Sequence, residues 1–283
     1  MTRAVTVLDT GPLTTVQDEG RPGQAALGIG RSGACDRGSA RLANRLVGNG
    51  QDAAVLEVTF GGLAVRAHAD LVVVTTGARC PAAFAHNAPA LLRAGAVLRL
   101  GMPAGGLRTY VAIRGGFAVA PVLGSRSTDV LSGLGPPVVQ AGDVLPVSRP
   151  ELGMPGIDLA PVADPGAGEL SVRVLPGPRR DWLADTAWAT LTGQPYTVTS
   201  ESNRIGLRLD GPALERRRTD ELPSEGMVRG ALQIPPSGRP VLFLADHPVT
   251  GGYPVVGYVA DDDVDLCAQL RPGQTVRFRH TTS

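Results

Sequence analysis

Residues 272–278 read Pro272-Gly273-Gln274-Thr275-Val276-Arg277-Phe278, a turn-forming pair followed by residues that alternate between apolar and polar. A period of two is typical of a β-strand with one buried face, and a glycine after a proline or small residue indicates a turn. The same order recurs in Ala94-Gly95-Ala96-Val97-Leu98 and in Ala141-Gly142-Asp143-Val144-Leu145. The recurrence predicts a β-barrel edge that is used repeatedly, unless a common turn motif has recurred by chance.

Turn formers are scattered along the chain, with 37 glycines and 24 prolines among its 283 residues. Between them lie short runs rich in Val, Leu and Thr, a pattern typical of many-stranded barrels and sandwiches. The sequence therefore predicts a mainly β fold with a few short helices. The candidate strands are Val55–Phe60, Leu71–Thr76, Val97–Leu100, Thr109–Arg114, Val172–Leu175, Tyr196–Ser200, Val241–Leu244 and Thr275–Phe278.

Three stretches are predicted to be helical. The first begins after a capping Asp36 and ends near Gly48. The second runs from Pro178 to Leu191, where apolar residues recur at helical spacing. The third begins at residues 261–263, three aspartates whose charge favours a helix N-terminus.

The length of the chain allows one large domain or two ordinary ones. Residues 149–168 hold four prolines and show no apolar period, which indicates a linker. We therefore predict an N-terminal β-barrel-like unit over residues 1–150, a linker over 151–167 and a C-terminal β-barrel-like unit over 168–283.

All 27 basic residues are arginine, and the chain has no lysine. This excludes a Walker A phosphate loop, a lysine Schiff base and a Ser-Lys hydrolase site. It also means that biotin cannot be attached to a lysine of this chain. The formal net charge of +1 gives no field that would attract nucleic acid, and no apolar run approaches the ~20 residues of a membrane span.

The cysteines and histidines give no sign of a disulfide framework or a metal site. Cys35, Cys80 and Cys267 lie far apart and are odd in number, which suits a reducing compartment. The four histidines lack the close pairing of a zinc site. Residues 1–7 lack the long apolar core of a secretory signal, so we expect a cytoplasmic protein.

Two polar, glycine-containing segments in the N-terminal half carry candidate site residues. Residues 14–21 read Thr-Thr-Val-Gln-Asp-Glu-Gly-Arg and include the carboxylate of Asp18. Residues 123–128 read Leu-Gly-Ser-Arg-Ser-Thr, and here Ser125, Arg126 and Thr128 could bind an anion. The alternative for this loop is a network of turn and cap hydrogen bonds.

The C-terminal half adds three more candidate segments. Arg204, beside Asn203, could hold a carboxylate with two parallel hydrogen bonds or pair with a neighbouring acid. Glu225 could act as a base or be an exposed turn residue. Residues 246–254 follow a predicted strand, and loops at strand ends often carry function; a tight turn with a buried tyrosine is the alternative. The candidates in this last segment are Asp246, Thr250, Gly251, Gly252 and Tyr253.

Eight segments, taken in order, are recognisable: Gly11–Arg21, Ser32-Gly33-Ala34 with Asp36, Ala43–Asn49, Leu56–Thr59, Gly124–Thr128, Ser202–Gly206, Gly230–Pro235 and Thr250–Pro254. With them the chain resembles, over nearly its whole length, the biotin-dependent carboxyltransferase-like family. That family includes the C component of bacterial 5-oxoprolinase, the sporulation regulator KipA, proteins named allophanate hydrolase subunit 2, and the carboxyltransferase region of urea carboxylase.

The resemblance implies two cyclophilin-like β-barrel units and two partners, a KipI-like subunit (the B component of 5-oxoprolinase) and a third subunit (the A component). It implies ATP-dependent opening of the 5-oxoproline lactam to glutamate, with ATP bound together with the KipI-like partner. The alternatives are carboxyl transfer of the allophanate hydrolase or urea carboxylase type, and a non-enzymatic KipA-like regulator that antagonises a KipI-like kinase inhibitor. Because the chain has no lysine, biotin would come from another protein, which favours the lactam hydrolase.

In that reaction several of the candidate side chains have an expected part. Arg126 and Arg204 would bind negative charge, and Ser125, Thr128 and Thr250 would donate hydrogen bonds to a developing oxyanion. The three carboxylates that could accept a proton or hold a metal are Asp18, Glu225 and Asp246.

Overall fold

A computed structural model of the chain describes residues 2–218 and 220–282. The chain divides into two compact units. The first comprises the residues up to Arg21, Ser32–Asp129 and Gly133–Pro165, and the second comprises Pro22–Arg31, Val130–Ser132 and the residues from Gly166 onwards. The expected limits of the two domains, 1–150 and 168–283, stay a prediction. Most of the expected linker, residues 151–165, belongs to the first unit.

The first unit contains two antiparallel sheets and one helix. Its elements are β1 (Ala4–Thr10), β2 (Leu13–Gln17), α1 (Arg37–Leu46), β3 (Val55–Thr59), β4 (Leu63–Ala67), β5 (Leu71–Gly77), β6 (Ala90–Leu92), β7 (Val97–Arg99), β8 (Arg108–Ile113) and β9 (Val144–Pro146). The strand order is β7-β4-β1-β9 in one sheet and β2-β3-β8-β5-β6 in the other. Both sheets contribute to one apolar core, which includes Val7, Val65, Leu56, Val73 and Val111.

Helix α1 is fixed by its N-terminal cap and by a buried tyrosine. The Asp36 carboxylate accepts a hydrogen bond from the Ser39 backbone N–H at 2.9 Å, as the sequence predicts. The Tyr110 hydroxyl accepts the Asp36 backbone N–H at 2.7 Å and donates to Glu57 at 2.8 Å. Burial, together with the Glu57 carboxylate, raises the pKa of Tyr110 well above its usual value. The hydroxyl therefore keeps its proton and ties the helix to the sheet.

The second unit is built around a closed barrel. Its elements are β10 (Leu170–Pro176), α2 (Ala187–Gly193), β11 (Pro195–Val198), β12 (Gly206–Asp210), β13 (Glu225–Gly226), β14 (Ala231–Gln233), β15 (Val241–Phe243), β16 (Thr250–Gly251), β17 (Val255–Val259), α3 (Asp261–Cys267) and β18 (Thr275–His280). The barrel order is β10-β17-β14-β15-β12-β11-β18. The parallel pairing of β18 with β10, with Val172 opposite Phe278, closes it. β13 and β16 form a separate two-stranded ribbon.

The mainly β prediction is confirmed. Each candidate strand is present, with ends that differ by at most two residues. The three predicted turns also precede strands, and Gly95, Gly142 and Gly273 all have positive φ. The strands that follow these turns differ in position. β7 and β9 are the two edge strands of one sheet, whereas β18 is one of the strands of the closed barrel. No helix within the described residues is long and apolar enough to cross a membrane.

The second predicted helix starts later than expected. A short 3-10 turn occupies Arg180–Trp182, and α2 begins only at Ala187. Between them Leu183 is extended and forms an isolated β-bridge with Arg216. This pairing with a distant residue withdraws Leu183 from the helix, although its spacing fits a helical face.

Gly61 allows a close approach of backbone in the first unit. It has φ +73°, and a Cβ there would lie 2.1 Å from the Gly101 carbonyl oxygen. Gly95 has φ +80°, but a Cβ there would meet no atom within 4 Å. We expect Gly61→Ala to lower the free energy of unfolding by about 2–5 kcal/mol, and Gly95→Ala by only the ~1–2 kcal/mol of a left-handed alanine. Urea unfolding of the two variants measures the difference, and equal losses would contradict this account.

Candidate functional site

The Asp18 carboxylate, directly after β2, is the centre of a buried network in the first unit. Its Oδ1 accepts hydrogen bonds from the hydroxyls of Ser125 and Ser127, each at 2.6 Å, and from the Gly20 N–H at 2.8 Å. Its Oδ2 accepts the Arg126 backbone N–H at 2.6 Å. Four donors fill the acceptor sites of a carboxylate. Asp18 therefore organises the loop, and its buried carboxylate is already bonded to four donors of this chain.

Arg126 is the half-buried member of this network. Its Nε donates to the Val119 carbonyl at 2.9 Å, which fixes the direction of the side chain. Its two terminal nitrogens have no hydrogen-bond or ion-pair partner within the described part of the chain. A guanidinium edge of this kind suits the paired oxygens of a carboxylate or phosphate. The network thus holds Arg126 in place and leaves its binding edge available.

Three buried polar atoms beside the network lack a hydrogen-bond partner among the described residues: Gln17 Oε1, Arg21 Nη1 and Thr128 Oγ1. The first two side chains are anchored by their other atoms. Gln17 Nε2 donates to the Thr128 carbonyl at 2.9 Å, and Arg21 Nη2 donates to the Ser127 carbonyl at 2.6 Å. An unsatisfied buried polar group costs about 1–3 kcal/mol, and native proteins contain few of them. A polar ligand that reached these atoms would offset part of that cost.

In the second unit, Arg204 and Asp246 form a buried ion pair. Arg204 Nε lies 2.9 Å from Asp246 Oδ2 and Nη2 lies 3.0 Å from Oδ1, with side chains 1% and 0% exposed. The Val130 backbone N–H, which belongs to the same unit, donates to Asp246 at 3.1 Å. Asn203 accepts the Ile205 N–H at 2.8 Å and so shapes the same turn. The structure therefore contains the ion-pair alternative that the sequence leaves open for Arg204.

Glu225 lies beside the glycine-rich segment, in the ribbon of β13 and β16. It stands opposite Gly251, and a Cβ on Gly251 would lie 2.7 Å from Gln233 Nε2. Gln233 Nε2 also donates to the Tyr253 carbonyl at 3.1 Å, which fixes the loop after β16. The Tyr253 side chain itself is 44% exposed, so the alternative of a turn around a buried tyrosine is wrong. Thr250 and Gly252 are exposed as well.

Among the three candidate carboxylates, that of Glu225 is the one that reaches solvent. Its side chain is 26% exposed, whereas Asp18 and Asp246 are buried. Glu225 Oε1 accepts Arg179 Nε at 2.9 Å and also accepts from Arg179 Nη2. The hydrogen bonds from Arg179 hold the pKa of Glu225 below its usual value. Glu225 is therefore ionised at neutral pH and is the carboxylate best placed to meet a substrate.

The predicted site residues form three groups. Asp18, Ser125 and Arg126 share one network, with Thr128 next to it. Asn203 and Arg204 lie with Asp246, and Glu225 lies with residues 250–253. Sequence reasoning missed Ser127, although it belongs to the same motif, and it missed Arg179, because nothing local links residues 46 positions apart. Within the described residues, no group of three His, Cys, Asp or Glu could hold a metal ion.

Comparison with known proteins identifies a family. The family described as "Carboxyltransferase domain, subdomain A and B" matches residues 27–280. The C component of 5-oxoprolinase from Escherichia coli is 36% identical over 280 residues, which cover 96% of this chain and 89% of that relative.

Two solved structures share the fold. The protein TTHA0988 matches with a TM-score of 0.88 at 36% identity, and the urea carboxylase of Kluyveromyces lactis with 0.89 at 30% identity. Both matches include 98% of this chain. The chain spans only 55% of the TTHA0988 chain and 27% of the urea carboxylase chain.

The buried ion pair predicts a large loss of stability when one partner is removed. Arg204→Met leaves Asp246 buried without its cation, and we expect the free energy of unfolding to fall by about 3–5 kcal/mol. The double variant Arg204→Met/Asp246→Leu should recover much of the lost free energy of unfolding, because it leaves no unpaired charge buried. As a control, Arg93→Met removes an exposed pair with Asp70 and should cost less than about 1 kcal/mol. Chemical denaturation measures all three. Equal losses for Arg204→Met and Arg93→Met would show that the buried pair is not structural.

Proposed function

Because this chain belongs to the family of carboxyltransferase domains with subdomains A and B, we propose that it is one subunit of a 5-oxoprolinase-type enzyme. In this proposal the complex uses ATP to open the lactam C–N bond of 5-oxoproline and releases glutamate. The chain acts with two partners, the KipI-like subunit (the B component) and the third subunit (the A component). The observation that carries the proposal is the similarity to the C component of Escherichia coli 5-oxoprolinase, which extends over 89% of that relative.

The polar groups of the first unit suit an anionic cyclic amide. Opening the lactam through a phosphorylated amide oxygen requires cations for the phosphoryl charge and donors for the oxyanion. Among the described residues, neither the two terminal nitrogens of Arg126 nor the Thr128 hydroxyl has a hydrogen-bond partner. The Ser125 hydroxyl already donates its one hydrogen bond to Asp18, so we do not assign it as an oxyanion donor.

The second unit contributes a different chemistry. Glu225 is ionised and partly exposed beside the hydroxyl-bearing segment 250–253, so it could accept a proton from an attacking water. Asp246 remains paired with Arg204 and also accepts the Val130 backbone N–H. We assign the proton-accepting role to Glu225 and a supporting role to Asp246.

We propose that ATP binds together with the KipI-like partner and that no cofactor is attached to this chain. The sequence has no lysine for biotin and none for a Walker A loop. The three cysteines are free and buried, which suits a reducing compartment such as the cytoplasm.

Carboxyl transfer of the urea carboxylase or allophanate type is the second candidate function. It is favoured by the similarity to the Kluyveromyces lactis urea carboxylase, with a TM-score of 0.89 over 98% of this chain. A lysine-free chain would need biotin delivered on another protein. A KipA-like regulator that binds a KipI-like inhibitor without catalysis is the remaining candidate.

Reconstitution separates these functions. We expect this chain, mixed with its two partners, 5-oxoproline and ATP, to produce glutamate and ADP, and we expect omission of this chain to abolish the product. Chromatographic detection of glutamate and a coupled ADP assay measure both. Biotin-dependent consumption of urea would favour carboxyl transfer. Tight binding of the KipI-like subunit with neither product would favour the regulator.

A variant of Arg126 tests the anion site. Arg126→Lys keeps the charge but loses the paired hydrogen bonds, so kcat/KM for 5-oxoproline should fall roughly 10–100-fold while Tm changes little. Arg93→Lys, at an exposed pair in the same unit, should leave both unchanged. Steady-state kinetics and thermal unfolding measure the two effects. Unchanged kcat/KM in Arg126→Lys would remove the residue from the site.

A further inference from the structure

The hairpin tip at residues 122–125 has a conformation that its sequence does not favour. The Val122 N–H donates to the Ser125 carbonyl at 2.8 Å, and the Ser125 N–H donates to the Val122 carbonyl at 3.2 Å, which closes a two-residue turn. Its central residues, Leu123 and Gly124, have φ +52° and +80°. Positive φ at both positions is the mark of a type I′ turn, where Asn-Gly is the preferred pair. Glycine fits its position here, and leucine does not.

A leucine in the left-handed region is strained because its Cβ approaches the following carbonyl oxygen. Only three other non-glycine residues in the described chain have positive φ, namely Ser32, Phe60 and Asn87. Asn87 is of a type that tolerates this conformation, and Ser32 is fully buried. Leu123 combines the strain with a side chain that is 47% exposed. Burial within the chain therefore does not account for a leucine at this position.

Residues with a strained backbone cluster at active sites, ligand clamps and switch regions, where the surrounding structure holds them in place. The base of this hairpin is rigid, because Ser125 and the Arg126 backbone are bonded to Asp18. Pro121, Leu123 and Gly124 are exposed, so the turn projects outward. Small molecules bind in concave sites, whereas a projecting apolar side chain on a rigid base fits a pocket on another protein.

We propose that Leu123 docks this chain onto the KipI-like subunit of the complex, an inference that rests on the proposed function for the identity of that partner. The partner surface that fits has an apolar pocket for Leu123 and, next to it, the bound anionic substrate. The charge of Arg126, three positions along the chain, supports this choice, because its two terminal nitrogens have no partner in the part of the chain that the structure describes. Docking through Leu123 brings that guanidinium to the anion, and the active site is then completed across the interface.

The docking role predicts opposite effects on stability and binding. Leu123→Asn relieves the turn strain and removes the apolar contact, so Tm of the isolated chain should rise by about 2–4 °C. Its Kd for the KipI-like subunit should increase roughly tenfold or more. Leu123→Met keeps an apolar side chain and the strain, and should bind like the wild type without gaining stability. Leu91→Asn removes a leucine that is 51% exposed, from a position without positive φ, and should change neither quantity.

Calorimetric titration and thermal unfolding of these variants decide the inference. An unchanged Kd for Leu123→Asn overturns the docking role. An unchanged or lower Tm for the same variant overturns the strain argument. If the wild-type chain does not bind the KipI-like subunit, the whole inference is overturned. Arg126→Gln distinguishes the contribution of the Arg126 charge from that of Leu123. This variant should weaken binding to the KipI-like subunit only when 5-oxoproline is present. If the wild-type complex forms but releases no glutamate, the proposed reaction is wrong while the Kd values still test Leu123.

Discussion

The Asp18 carboxylate joins parts of the first unit that are far apart in the chain. It lies at the end of β2, yet it accepts hydrogen bonds from Ser125 and Ser127, which are 107 and 109 positions away. Hydrogen bonds to a charged acceptor are roughly twice as strong as neutral ones, and in a buried network they reinforce one another. This one side chain holds Ser125 and the Arg126 backbone, and the Val119 carbonyl then fixes the direction of the Arg126 guanidinium.

In the second unit an ion pair joins segments that are far apart in the chain. The Arg204–Asp246 pair connects the turn before β12 with the residues that follow β15, and the backbone of Asp246 bonds to the carbonyl of Arg204 as well. The Arg179–Glu225 pair is chemically the same but lies at the surface of the ribbon. Burial therefore distinguishes the two pairs, because one is enclosed beneath the loops and the other is partly exposed to solvent.

The features that were predictable from the sequence are those that depend on neighbouring residues. Alternation located the strands, and Asp36 located the start of α1 because its cap partner is three residues away. The start of α2 was not predictable, because Leu183 pairs with Arg216 across 33 positions. The same limit applies to the site. The motifs pointed to Asp18, Glu225 and Asp246 and to the family, but the exposure of each carboxylate depends on partners that only the folded chain brings together.

The division of the chain into units bears on how it is synthesised and folded. Residues 22–31 and 130–132 belong to the second unit although residues of the first unit flank them in the sequence, so the chain passes from one unit to the other five times. Domains generally fold one after another as they leave the ribosome. Here the two early segments have no complete barrel to join until β18 has been synthesised, because that strand closes the barrel. A fragment that began at Gly166 would lack both segments, and cleavage there would not give two self-sufficient halves.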